Sequence, residues 1–171
     1  MDMIGWLAAP RTIDALRPSD YDALEEIHAE SFIAPWSADE QAALNDGPGV
    51  TTFVARRGSA TSSRKPIGFI TVRRAADEAE ILTMAVHPRQ RGAGVGEKLL
   101  ETALRHLYAE RVVNVFLEVD PANEPALVIY RRAGFEPVGE RKAYYGTEGN
   151  EPRHKALTMR LTLKQPALET R

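Results

Sequence analysis

The stretch His87-Pro88-Arg89-Gln90-Arg91-Gly92-Ala93-Gly94-Val95-Gly96 decides how this chain is read. Before it, Glu80 to Val86 reads as a strand. After it, Val95 to Ala109 places Val95, Leu99, Leu100, Ala103, Leu104 and Leu107 on one face of a helix. Glycines at such a strand-to-helix turn let backbone N–H groups approach phosphate oxygens with no Cβ in the way. The helix N-terminus adds a field worth about 0.3–1 kcal/mol to an exposed anion. Arg89 and Arg91 can add charge-assisted contacts. A plain glycine-rich connector with solvated arginines would have the same composition. Two known phosphate motifs fit badly. A P-loop needs Gly-Lys-Ser/Thr, but Glu97 and Lys98 follow Gly96. A dinucleotide fingerprint needs a third glycine where Glu97 stands, and five residues separate the strand from Gly92.

Outward from this segment the pattern alternates. A strand is expected at Thr12 to Leu16, then a helix capped by Ser19 or Asp20 and running to about Phe32. Ala34-Pro35-Trp36 breaks it, and Ser37 with Glu40 forms a capping box for a second helix, closed at Asp46 to Gly49. Strands follow at Val50 to Arg57 and Ile67 to Arg74, joined by a polar hairpin loop, Arg57 to Pro66, expected to be mobile. Beyond the central helix, Val112 to Val119 has the unbroken apolar character of a buried strand. Asn123 can cap a helix over Glu124 to Ala133 that Gly134 terminates. Strands near Phe135 to Tyr144 and Lys155 to Leu163 bracket the loop Gly146 to Arg153. The order β-α-α-β-β-β-α-β-α-β-β implies an α/β fold with a mixed sheet. Residues 1–10 and 164–171 read as tails around one domain, 11–163.

Composition narrows the chemistry. The 171 residues suffice for one domain with a substantial core. A net charge of -2 offers no general attraction to nucleic acid or membranes. With no cysteine, disulfides, thiolate catalysis and cysteine-held zinc are excluded. His28, His87, His106 and His154 lack metal-ligand spacing and read as surface or turn residues, so no metal is expected. No apolar run reaches the ~18 residues of a membrane span, and Met1 to Pro10 is unlike a signal peptide. A cytoplasmic protein is expected.

Arg91-x-x-Gly94-x-Gly96 resembles the pyrophosphate loop of GNAT acetyltransferases. Four further stretches are similar to that family in its own order: Ala79 to Pro88, Phe116 to Val119, Asn123 to Ala126, and Tyr130-Arg131-Arg132-Ala133-Gly134-Phe135. The likeness runs from about Arg11 to Leu163. It implies a central mixed, mostly antiparallel sheet flanked by helices, with acetyl-CoA as co-substrate. Within the superfamily, Pro35-Trp36-Ser37, Leu117-Glu118-Val119 and Arg141-Lys142-Ala143-Tyr144-Tyr145 resemble the RimI-type group. That group acetylates the N-terminal alanine of a small-subunit ribosomal protein. Ala143, where asparagine is common, and Lys155, where an acid is common, depart from its pattern near the expected acceptor site.

The resemblance also implies roles. Backbone N–H groups from Met84, Ala85 and Val86 would bind pantetheine and polarise the thioester carbonyl. Arg91, Gly92, Ala93, Gly94, Val95, Gly96 and Glu97 would hold the pyrophosphate, and Asn123 would contact the cofactor near its thioester end. Glu118 would be the general base of a direct transfer, a use suited to a partly desolvated strand-end carboxylate. Tyr130, a phenol of ordinary pKa near ~10, would protonate the leaving thiolate. Glu80 is the reserve base. Trp36, Tyr144 and Tyr145 would border the acceptor. By residue type alone, without the motif context, Glu118 reads as a salt-bridged strand-end acid, Tyr130 as a half-buried aromatic, Trp36 as a core residue, and Arg131 with Arg132 as a solvated helix face. Two other functions stay open: acetylation of a small amine or lysine side chain, and non-catalytic acetyl-CoA binding, which would predict loss of the acid or base.

Overall fold

Local chemistry accounts for where the helices begin and end. The computed structural model describes residues 11–58, 64–142 and 155–164. Helix α1 (Tyr21–Ala29) follows a 3-10 turn at Pro18–Asp20, and α2 (Ala38–Asn45) starts at Ser37, whose hydroxyl accepts from Glu40 N–H while the Glu40 carboxylate accepts from Ser37 N–H. Helix α3 (Val95–Ala109) buries the predicted stripe of Val95, Leu99, Leu100, Ala103 and Leu107. In α4 (Glu124–Arg132), the Asn123 side chain accepts from Ala126 N–H, and Gly134 at φ +97° closes the C-terminus.

Two boundaries differ from expectation. Helix α1 stops at Ala29 because Ser31 and Phe32 N–H both fold back onto the His28 carbonyl. Val112 does not start a strand. Its N–H bonds to the Leu107 carbonyl, closing α3 around Arg111 at φ +64°, and its side chain is buried beneath that turn.

The strands are β1 (Arg11–Ala15), β2 (Val50–Arg57), β3 (Lys65–Ala75), β4 (Glu78–Val86), β5 (Asn114–Val119), β6 (Glu136–Lys142) and β7 (Lys155–Thr162). They form one sheet in the order β1-β2-β3-β4-β5-β7-β6, parallel at β4–β5 and antiparallel at every other pairing. The fold is the expected α/β arrangement with a mixed, mostly antiparallel sheet. The expected tails, the centre of the 57–66 linker, the loop at 146–153 and both Tyr144 and Tyr145 lie outside the described residues.

The strand that shapes the site is β4. Its register against β3 shifts so that Thr71 faces Thr83 while Val72 faces Ile81, leaving Leu82 as an extra residue. Such a bulge bends the strand and reverses which face the following residues present. Ala79 and Ile81 lie in the core with α3, whereas Ala85 lies in the smaller core with Leu24 and Ile27 of α1. Met84 and Val86 turn instead toward the α3 side. The parallel pairing of β4 with β5 covers only Glu78–Ile81 against Asn114–Leu117. Past the bulge the two strands part.

A second polar feature pins the opposite edge of the sheet. Arg56 on β2 is 2% exposed and donates from both terminal nitrogens to the two Asp20 carboxylate oxygens at 2.6 Å. Burial alone would push the Asp20 pKa up. The hydrogen bonds from Arg56 and from the Arg17 N–H, with the charges of both arginines, override it and hold the carboxyl below its ordinary value.

Candidate active site

Where β4 and β5 part, a cleft of about 680 Å³ opens between the end of β4, the start of α3 and the start of α4. It gathers nearly all of the expected cofactor residues. Met84, Ala85 and Val86 line one side, Arg91, Gly92 and Gly94 to Glu97 its end, and Asn123 the α4 side. Ala93 does not line it, and its carbonyl accepts instead from Arg11 Nη1 at 2.8 Å.

The start of α3 has no side-chain cap. Gly94 is the N-cap at φ +75°, and a glycine supplies no side-chain acceptor for the first-turn N–H groups. Helices α2 and α4 differ, since Ser37 and Asn123 cap theirs. At Gly96 an added Cβ would sit 3.2 Å from Ile129 Cδ1, so this glycine also lets α3 and α4 approach. Arg91 braces the loop, donating from Nε to the Val86 carbonyl at 3.0 Å and from Nη2 to Ser31 Oγ at 3.1 Å. Arg132 reaches the cleft and pairs with Glu97 at 3.1 Å, whereas Arg131 pairs with Glu124.

The acid–base candidates lie outside the lining of this cleft. Glu118 is the first β5 residue past the pairing with β4. Its side chain is 37% exposed and accepts a 3.0 Å hydrogen bond from Arg141 Nη1 on β6. Glu80 sits in the paired part of β4, opposite Phe116, and is ion-paired with Arg73 at 3.0 Å. Tyr130 is buried, 7% exposed, edge-on to Phe135 at 5.7 Å. Burial pushes its phenol up to about 12.

The segment between α1 and α2 also departs from expectation. Phe32 and Ser31 line the cleft, and Trp36 does not. Trp36 is half-buried, stacked on His28 with ring centroids 5.0 Å apart. His28 is not a surface or turn residue but is 3% exposed. The helical period alone could have placed it inside, since it neighbours Ile27 and lies four residues after the buried Leu24. Ser31, Phe32, Pro125, Ala126 and Ile129 had no local signal to mark them as cleft residues.

The model of the Acetyltransferase (GNAT) family matches residues 21–135. The chain is 30% identical over 152 residues to the ribosomal protein bS18-alanine N-acetyltransferase of Escherichia coli strain K12, covering 89% of this chain and 97% of that protein. It is 32% identical over 166 residues to N-alpha-acetyltransferase RimI of Mycobacterium tuberculosis, covering 92% and 96%. Its structure is similar to the crystal structure of the ribosomal-protein-S18-alanine N-acetyltransferase from Escherichia coli, with a TM-score of 0.79 at 28% identity, covering 95% of this chain and 99% of that one.

Proposed function

The chain belongs to the acetyltransferase (GNAT) family and is an acetyl-CoA-dependent N-acetyltransferase, and from that premise we propose that it acetylates the N-terminal α-amine of a small-subunit ribosomal protein in the cytoplasm. The observation that carries the reading is the parting of β4 from β5 after Ile81, which leaves Met84 to Val86 lining a cleft that the uncapped start of α3 closes at one end. The acceptor class follows the named relatives, which match this chain over most of its length.

The residues present fit acetyl-CoA. The first-turn N–H groups of α3 and the glycines before them suit a pyrophosphate, which brings its own charge to donors that no side chain satisfies. Met84, Ala85 and Val86 lie where β4 has lost its β5 partner, so their backbone groups on that side are available to a pantetheine amide and a thioester carbonyl. Glu118 accepts the proton of the incoming ammonium, which replaces the Arg141 guanidinium as its cationic neighbour. Tyr130 stays protonated throughout the working range, so it is always a donor. The burial that raises the phenol also raises the pKa of a thiolate departing beside it, so Tyr130 remains the donor from which the leaving sulfur takes its proton.

An α-amine of pKa ~8 is easier to deprotonate at a given pH than a lysine of ~10.4, by about 3 kcal/mol. One exposed carboxylate meets the smaller demand. The test is mass spectrometry of peptides incubated with acetyl-CoA. An alanine-first peptide is expected to outcompete the same peptide with a blocked N-terminus and a free lysine. Equal or faster modification of the blocked peptide assigns the chain to lysine or small amines instead.

A further inference from the structure

His28 is buried against Phe32, a residue of the cleft lining, and nothing in the acid–base chemistry uses it. Its Nδ1 accepts from Trp36 N–H at 3.0 Å. A neutral imidazole that accepts at one nitrogen carries its proton on the other, so Nε2–H donates to Thr83 Oγ1 at 3.3 Å. The ring stacks between Phe32, with centroids 4.3 Å apart, and Trp36 at 5.0 Å. Thr83 immediately precedes Met84 in the part of β4 that has left β5, and Phe32 lines the cleft. One side chain thus ties both ends of the segment 31–36 to the strand that carries the thioester-facing residues. The segment has no regular structure of its own and leaves Ile33 fully exposed.

We propose that His28 is a positioning residue whose neutral form fixes the segment Ser31–Trp36 against β4 and so holds Phe32 in place along the cleft, next to the residues that would face the thioester and the attacking amine. This rests on the acetyltransfer reading above. Protonation would place a second N–H at Nδ1, facing the Trp36 N–H, and donor against donor releases the segment. The stacked rings of Phe32 and Trp36 favour a cation, but the ring is almost wholly buried and desolvation prevails, holding its pKa below the ordinary value. Glu40 of α2 acts in the opposite direction and more weakly. Strands β3 and β4 present Phe69 and Thr83, both uncharged. The neutral form is complete above the ordinary histidine pKa of 6.5 and is lost as pH falls through the lower folded value.

Three measurements test this. His28→Leu keeps bulk but accepts nothing, and is expected to raise the acceptor KM about tenfold, the scale of one lost buried hydrogen bond. Acetyl-CoA affinity by calorimetry should change less than the acceptor KM, since the released segment reaches the α3 end only through the Ser31–Arg91 bond. His28→Gln can accept from Trp36 N–H without titrating. It should recover most of the acceptor KM and remove the component of the acid decline in kcat/KM that wild type owes to His28. An unchanged KM in His28→Leu, or an identical acid limb in His28→Gln, overturns the proposal. Nitrogen NMR of the wild-type protein gives a readout independent of the acceptor and of whether the leucine variant folds. The Nε2–H tautomer persisting to below pH 6.5 is expected, and a ring protonated at Nδ1, or titrating at its ordinary value, overturns it. If a small amine replaces the peptide as acceptor, the KM comparisons are repeated with that amine, so the two readings fail separately.

Discussion

Among the carboxylate–guanidinium pairs of the described residues, two that involve the sheet have opposite surroundings. At one edge Asp20 and Arg56 are sealed, their side chains 4% and 2% exposed, with both guanidinium arms engaged at 2.6 Å. Past the β4–β5 split, Glu118 and Arg141 meet through one 3.0 Å bond, their side chains 37% and 75% exposed. Breaking the sealed pair leaves a charge in a place water cannot reach. Breaking the open pair leaves two charges that water, or a substrate ammonium, can solvate. The same two chemical groups therefore serve stability in one place and exchange in the other.

The comparison breaks hardest at Glu118. Glu118→Gln is expected to lower kcat by about 10²–10⁴ while leaving the melting temperature and acetyl-CoA affinity unchanged. Full activity in that variant, with Glu80→Gln inactive, moves the base to the paired part of β4. Asp20→Ala should do the reverse. Chemical denaturation is expected to show a loss of about 3–5 kcal/mol, because buried Arg56 keeps only the half-buried Asp14 at 3.4 Å as a carboxylate partner, with specific activity of the folded fraction retained. The sign of the pH effect follows from the lowered Asp20 pKa. Its contribution is complete above the ordinary value of 3.8 and is lost as pH falls through the folded value. In Asp20→Asn that acid portion of the stability curve should flatten.

Two smaller effects sharpen the contrast. From sequence, a valine at Gly94 or Gly96 should weaken cofactor binding and leave the fold largely intact. The contact with Ile129 changes that expectation for Gly96. Gly96→Val should weaken acetyl-CoA binding and also cost about 1–3 kcal/mol of stability by forcing α3 from α4. Calorimetry and thermal melts on one preparation separate the two. The smallest effect belongs to Arg141→Gln. Freeing Glu118 for the acceptor ammonium should lower the acceptor KM by less than about fivefold, and stability should move by less than about 1 kcal/mol. A rise in KM instead would mean that Arg141 helps to hold the acceptor.

Much of the site was legible because its signals are local. Gly94 and Gly96, the stripe on α3, the Asn123 cap and the Gly134 stop each depend on residues within a few positions, and the structure has them as expected. Glu118 was legible as a residue but not in its surroundings, because Arg141 arrives from a strand two places away in the sheet. The burial of His28 was within reach of the helical period, one turn after Leu24, but its partners were not. Trp36 folds back over it and Thr83 meets it from β4.

The sequence by itself determined the element order, the glycine turn before α3 and the family likeness, because periodicity, caps and glycines act through neighbouring residues. The tertiary structure alone decided where β4 leaves β5. The bulge at Leu82 is a mismatch of register between two strands, and no residue within β4 marks it. That mismatch turns Met84 and Val86 toward α3, ends the pairing with β5 after Ile81 and opens the cleft. Register belongs to a pair of strands, so it exists only once both are in place.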